Sequence, residues 1–171
     1  MSMKFELSIE ISEQYDFTNE SLNKNIEQNT WVKNQWPIVY FIKNDSFKPQ
    51  KIGYIGESTN AIKRIKNHLD NPKRKDFNKI IIIGSDKFNK SVTLDIESKL
   101  IKYMASEDNY NLQNVAPGLI NHKYYQQDMY DNLFKEIWSK LIEIKIVTKT
   151  MLEIENSELF KYSPYKALNA D

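Results

Sequence analysis

Residues 3–11 alternate without a break: Met3, Phe5, Leu7, Ile9 and Ile11 are apolar, while Lys4, Glu6, Ser8 and Glu10 are polar. A period of two places the apolar side chains on one face, so the segment predicts a half-buried strand. Residues 18–28 are polar except Leu22 and Ile26, whose spacing predicts a short helix beginning near Thr18 or Asn19. Pro37-Ile38-Val39-Tyr40-Phe41-Ile42 reads as a strand. Turn residues follow between Lys43 and Gln50, and Lys51-Ile52-Gly53-Tyr54-Ile55 then predicts the second arm of a hairpin, ended by Gly56. Ser58, Thr59 and Asn60 are candidate helix N-caps. The helix they open carries Ala61, Ile62, Ile65 and Leu69 as its apolar stripe and is stopped by Asn71-Pro72.

Between Phe77 and Gly84 lie four consecutive isoleucines, Ile80 to Ile83. Such a run suits a strand covered on both faces, central in its sheet. A helix is predicted from about Ser91 to Ala105, then a loop through Tyr110-Asn111-Leu112-Gln113-Asn114 and Ala116-Pro117-Gly118. Two further helices are predicted at 124–144 and about 149–160; Phe134, Ile137, Trp138, Leu141 and Ile142 form the buried stripe of the longer one. The order of elements predicts an α+β (mixed α/β) domain with a small, largely antiparallel, three-stranded central sheet flanked by helices. An N-terminal extension (1–36), a core (37–116), a C-terminal helical extension (117–160) and a linker (161–171) follow.

The 171 residues can bury a substantial core, and 40% hydrophobic with 27% charged residues is an ordinary globular composition. No apolar run approaches the roughly 20 residues of a membrane span, and the N-terminus has no secretory apolar stretch. A cytoplasmic location is the default expectation. With no cysteine, disulfides and thiolate metal sites are excluded. A net charge of +1 does not mark a nucleic-acid binder, yet Lys63, Arg64, Lys66, Lys73, Arg74 and Lys75 crowd one stretch. A local patch of this kind can bind phosphates in a near-neutral chain; the alternative is a solvated helix face and loop.

Glu97 is the most unusual position. Its helical neighbours Thr93, Leu94, Leu100 and Ile101 form one face with Met104, while Asp95, Ser98, Lys99 and Lys102 occupy the opposite side. A buried carboxylate without a partner costs several kcal/mol, so a metal, a cation or a rim of water must offset it. Arg64 and His68 are four apart and share a helix face. A guanidinium can clamp a phosphate in a bidentate way, and an imidazole can move protons near neutral pH. Alone, such a pair is more often a surface feature. Tyr40 and Tyr54 fall on paired strands, where packing is the commoner role; a phenol needs a nearby cation or metal-bound water to act as a base at neutral pH. The chain has no glycine-rich phosphate loop and no histidine pair at metal spacing.

Jointly these positions resemble the GIY-YIG nuclease family. Ile38-Val39-Tyr40 stands where the family has Gly-Ile-Tyr, with Ile38 in place of glycine, and Tyr54-Ile55-Gly56 matches the second signature. Arg64 and His68 follow at the family's intervals. Glu97-Ser98-Lys99-Leu100-Ile101-Lys102 is similar to its metal-carboxylate helix, and Tyr110-Asn111-Leu112 to its closing asparagine. The resemblance covers about residues 37–114. It implies that Glu97 binds one divalent ion, Mg2+ with Mn2+ able to substitute. It implies that Tyr40, assisted by Tyr54 or His68, positions or activates water, and that Arg64 stabilises the scissile phosphate. Asn111 would hold the framework, and Gly56 would permit a tight exit from the strand. Lys63, Lys66, Lys73, Arg74 and Lys75 would contact nucleic acid.

The expected activity is endonucleolytic hydrolysis of DNA, one strand at a time. The alternatives are a non-catalytic nucleic-acid-binding module, an RNA nuclease, or a protein-interaction domain using Tyr124, Tyr125, Tyr130 and Trp138. The flanking segments are similar to nuclease domains fused ahead of a helicase-like ATPase in prokaryotic proteins, so a linked ATPase beyond Asp171 is expected.

Overall fold

The computed structural model describes residues 9–44, 50–114 and 127–162. The chain is mixed α/β. Six strands, among the described residues, form one mostly antiparallel sheet: β1 (Ile9–Ile11), β2 (Tyr15–Asp16), β3 (Ile38–Lys43), β4 (Ile52–Ser58), β5 (Lys79–Ser85) and β6 (Asn111–Leu112). Their order is β1-β5-β3-β4-β6, with β2 also paired to β5. The sheet is thus larger than the three strands expected. The N-terminal segment adds strands to it, because β1 and β2 both pair antiparallel with β5.

Helices cover both faces. On one side stand α1 (Asn19–Lys24), α2 (Thr30–Lys33) and α3 (Ala61–Leu69). Here Leu22, Ile26, Val32, Ala61 and Ile65 pack on Ile38, Tyr40, Ile42, Ile80 and Ile82. On the other side α4 (Lys90–Glu107), α5 (Gln127–Glu143), α6 (Met151–Glu155) and α7 (Glu158–Tyr162) cover Val39, Phe41, Ile55, Ile81 and Ile83. Alternate isoleucines of β5 therefore serve opposite cores, as its unbroken apolar run predicts. Burying each such side chain stabilises by about 1.5–3 kcal/mol.

Local chemistry sets the helix starts. Thr18, Asn60 and Asn89 accept backbone N–H groups of the first turns of α1, α3 and α4. Thr150 and Glu153 form a reciprocal capping box at α6. The single helix expected at 149–160 is two short ones, α6 and α7. The Ser157 hydroxyl caps the second by accepting from Phe160 N, 3.2 Å away.

Two expectations change with the strand positions. Gly56 does not end β4, which runs on to Ser58. Asn111 lies in β6, not in a loop, and this short strand pairs parallel with the start of β4. The polar side of α4 is packed as well: Asp95 is buried, Lys99 pairs with Asp95 at 2.9 Å and with Asp131 on α5, and the Lys102 ammonium lies 4.4 Å from the Phe160 ring centroid. The expected beginning of the N-terminal strand, most of the turn before Gln50, the Ala116-Pro117-Gly118 loop, the start of the helix at 124 and the linker from 163 lie outside the described residues. So do His122, Tyr124 and Tyr125, whereas Tyr130 and Trp138 are buried in the core.

Candidate active site

The outer edge of β4 carries the candidate chemistry. β6 covers only its beginning, where Asn111 N donates to Lys51 O and Gln113 N donates to Gly53 O, both at 2.8 Å. Further along, side chains replace the missing strand. Asn114 Oδ1 accepts from Ile55 N at 2.9 Å, and Asn114 Nδ2 donates to Ile55 O at 2.7 Å. The next outward N–H, that of Glu57, is accepted by the Glu97 carboxylate. Asn114 thus does the holding expected of Asn111, whose side chain is exposed. The resemblance singles out Asn111, whereas Asn114, three residues on in the same short polar run, carries no distinguishing signal in the sequence.

Tyr40 lies on β3 directly opposite Gly56. A Cβ at position 56 would collide with Tyr40 Cζ and Oη. Gly56 is therefore needed for the space its absent side chain leaves; no glycine of the described chain adopts a positive φ. The fully buried Tyr40 ring crosses this gap, and its Oη lies 2.8 Å from His68 Nε2 on α3. In the Nδ1–H tautomer His68 accepts the phenolic hydrogen; in the other it donates to the phenolic oxygen. Burial pushes the Tyr40 phenol well above its ordinary pKa, opposed by the Arg64 guanidinium beside it. Burial, followed by the positive charges of Arg74 and Arg64, holds His68 down to about 4. The imidazole is neutral at pH 7, and in the Nδ1–H tautomer its Nε2 lone pair faces the phenolic hydrogen.

Tyr54 stands edge-on to His68 with ring centroids 4.8 Å apart. The Arg74 guanidinium lies 4.3 Å over the other aromatic partner, the Tyr54 ring, and its Nη1 donates to Gln113 Oε1 at 3.3 Å. Arg74 thereby belongs to the wall of the site. Arg64, exposed on α3, has its pKa raised chiefly by Tyr40, with Tyr54 and Glu57 adding to the effect. Lys66 is engaged elsewhere, donating to Asn19 Oδ1 at 3.0 Å. Lys63, Lys73 and Lys75 are exposed and form the solvent-facing remainder of the expected basic patch.

Glu97 lies on α4, on the other face of the sheet, near enough for its charge to act on Arg64 and Tyr40. Burial, then the nearby Glu57 carboxylate, pushes it up to about 7, opposed by Lys90 and Arg64. Glu57 and Lys90 carry no signal in the sequence, since Glu57 lies past the expected end of β4 and Lys90 before the expected start of α4. Glu57 continues the strand with its side chain toward α4, where Lys90 Nζ lies 2.6 Å from Oε2 and the Thr93 hydroxyl donates to Oε1 at 3.0 Å.

Among the described residues no group of three or more His, Cys, Asp or Glu side chains could together hold a metal. The oxygen donors that are present fit a different kind of site. Glu97 is a single carboxylate whose ionisation is opposed by burial and by Glu57. A hard divalent ion that keeps several of its waters would relieve that opposition. No helix of the described chain is long and apolar enough to cross a membrane. Comparison with known protein families, with curated proteins and with solved structures gave no match.

Proposed function

We propose that this chain is a GIY-YIG-type endonuclease domain that hydrolyses phosphodiester bonds in DNA with the help of a divalent cation. The observation that carries the reading is the grouping of five side chains from four elements. Tyr40 of β3, Tyr54 of β4 and His68 of α3 are in contact, and Arg64 of α3 and Glu97 of α4 are near enough for their charges to act on this cluster. A neutral imidazole bonded to a buried phenol, an exposed guanidinium beside them and a half-buried carboxylate are not required by packing.

Glu97 would hold Mg2+, or Mn2+ in its place. When bound, such an ion supplies Lewis-acid stabilisation of phosphate charge and a more acidic water. The protein's own groups do the rest. The Tyr40 oxygen takes the proton of the attacking water as its own hydrogen passes to His68 Nε2. Arg64 stabilises charge on the phosphate oxygens as the bond to the leaving 3′ or 5′ oxygen breaks. Tyr54, held by Arg74, fixes the imidazole from the side. One site of this kind cuts one strand at a time.

The test offers single-stranded DNA, duplex DNA and matched RNA to the protein with Mg2+. Strand cleavage of DNA supports the reading, and cleavage confined to RNA replaces its substrate. Binding without cleavage in any arm would make the chain a nucleic-acid-binding module and overturn the reading.

A further inference from the structure

Lys90 occupies the first position of α4, directly after the N-cap Asn89. A cation there opposes the partial positive charge of the helix N-terminus, and α4 has no acidic residue in its first turn to offset it. What offsets it is Glu57, 33 residues earlier, whose Oε2 lies 2.6 Å from Lys90 Nζ. The pair is asymmetric: the lysine side chain is 58% exposed and that of Glu57 10%. With its ammonium largely in solvent, Lys90 can be replaced at modest cost to the fold. Its effect falls instead on what lies next to it. The remaining Glu57 oxygen accepts the Thr93 hydroxyl, so both oxygens are engaged. The Glu57 N–H serves Glu97, and the charges of Glu57 and Lys90 act on Glu97 with opposite signs.

Resting on the reading of Glu97 as the metal carboxylate, we propose that Lys90 is a built-in counter-ion that holds Glu57 out of coordination, leaving Glu97 as the one carboxylate of this pair open to a divalent cation. The ammonium thereby sets the affinity of the site for the ion. Without it, Glu57 and Glu97 would be two neighbouring carboxylates with only the more solvated Arg64 guanidinium to oppose their charge, an arrangement that favours tighter divalent binding.

The test measures Mn2+ binding directly, by loss of the free-ion electron paramagnetic resonance signal, in the absence of nucleic acid. Lys90→Met should tighten binding by about tenfold or more, since one positive charge leaves and one carboxylate is released. Glu57→Gln combined with Lys90→Met restores the local charge of the native pair and should return the affinity to near wild type. Lys90 is largely exposed, so the single variant should melt within a few degrees of wild type. Unchanged or weaker Mn2+ binding by folded Lys90→Met overturns the proposal, and so does a double variant as tight as the single one. Glu97→Gln separates this from the reading beneath it. If that variant binds Mn2+ as well as wild type, Glu97 is not the metal carboxylate, whatever Lys90→Met does. If neither wild type nor Lys90→Met takes up Mn2+, both fail.

Discussion

Tyr40 Oη and His68 Nε2 lie 2.8 Å apart within the protein interior, although 28 residues separate them in the chain. The contact exists because Gly56 leaves room across β4 and because Asn60 starts α3 where His68 falls over the gap, two turns later. Tyr40→Phe keeps the ring and removes the oxygen. It should reduce cleavage by about 100-fold or more, the usual scale for a lost proton-transfer group. Stability should fall by only about 1–3 kcal/mol for the imidazole nitrogen left without its partner. Single-turnover cleavage alongside urea denaturation checks both, and near-normal turnover would remove Tyr40 from the chemistry.

The same cluster makes a prediction about pH. Glu97 is held at about 7, above the ordinary 4.5, chiefly by burial and by Glu57. A raised carboxylate stabilises the fold fully below about 4.5, and that contribution is lost as pH rises through about 7. His68 is held at about 4, below 6.5, by burial, Arg74 and Arg64. Its contribution is present above about 6.5 and is lost as pH falls through about 4. Between these limits the two slopes oppose each other. Metal-free wild type should therefore show little net dependence from this pair. Glu97→Gln should gain stability with rising pH and His68→Gln should lose it. Melting temperatures between pH 4 and 8 in EDTA measure this; parallel profiles in the two variants would contradict it.

Gly56→Ala should be disproportionately damaging for the addition of one methyl group. Its Cβ would strike the Tyr40 ring, so either the ring leaves His68 or the β3–β4 pairing opens. The expected cost is about 1–3 kcal/mol, the range for overpacking a tight core. Cleavage should fall with it. A crystal structure of the variant with Tyr40 still bonded to His68 would show that the glycine is not what places the phenol.

Asn114→Ala should cost about 1–3 kcal/mol, because the Ile55 N–H and carbonyl both lose a partner at the sheet edge. Asn111→Ala should change stability by no more than about 0.5 kcal/mol, as its side chain is exposed. Chemical denaturation of the two variants tests the assignment. Equal losses, or a larger one at Asn111, would reverse it.

Much of the architecture was legible in the order of residues. The four isoleucines of β5 require two cores, and two helical layers provide them. The spacing of Ala61, Ile65 and Leu69 marks the packed side of α3, but it groups His68 with Arg64 on one polar face, whereas the fold buries His68 and leaves Arg64 exposed. What was not legible depends on register across distant segments. That Gly56 faces Tyr40 is a consequence of β3–β4 pairing, and a glycine at a strand end looks the same in sequence as one beneath an aromatic ring. Glu57 is an ordinary polar residue until β4 runs past Gly56 and α4 brings Lys90 and Thr93 against it. The short β2 and β6 have two residues each, too few for any periodicity to show. Arg74 reads as one of three consecutive cations, and only the fold sets it over Tyr54.

The exposed cations offer a separate prediction. Replacing Lys63, Lys73 and Lys75 together by alanine should weaken DNA binding and reduce the dependence of log K on log salt by up to about 3 units. Arg74→Ala, acting through Tyr54, should lose more in turnover than in binding. Fluorescence anisotropy across a salt series distinguishes the two classes. An unchanged slope in the triple variant would make those lysines a solvated face only.

The most direct measurement is cleavage of supercoiled plasmid with Mg2+, Mn2+ or EDTA, comparing wild type with Glu97→Gln. Wild type should convert the plasmid to the nicked circle only with metal, and Glu97→Gln should lose this while still folding and binding DNA. Nicking by Glu97→Gln at the wild-type rate, or equally in EDTA, would contradict it.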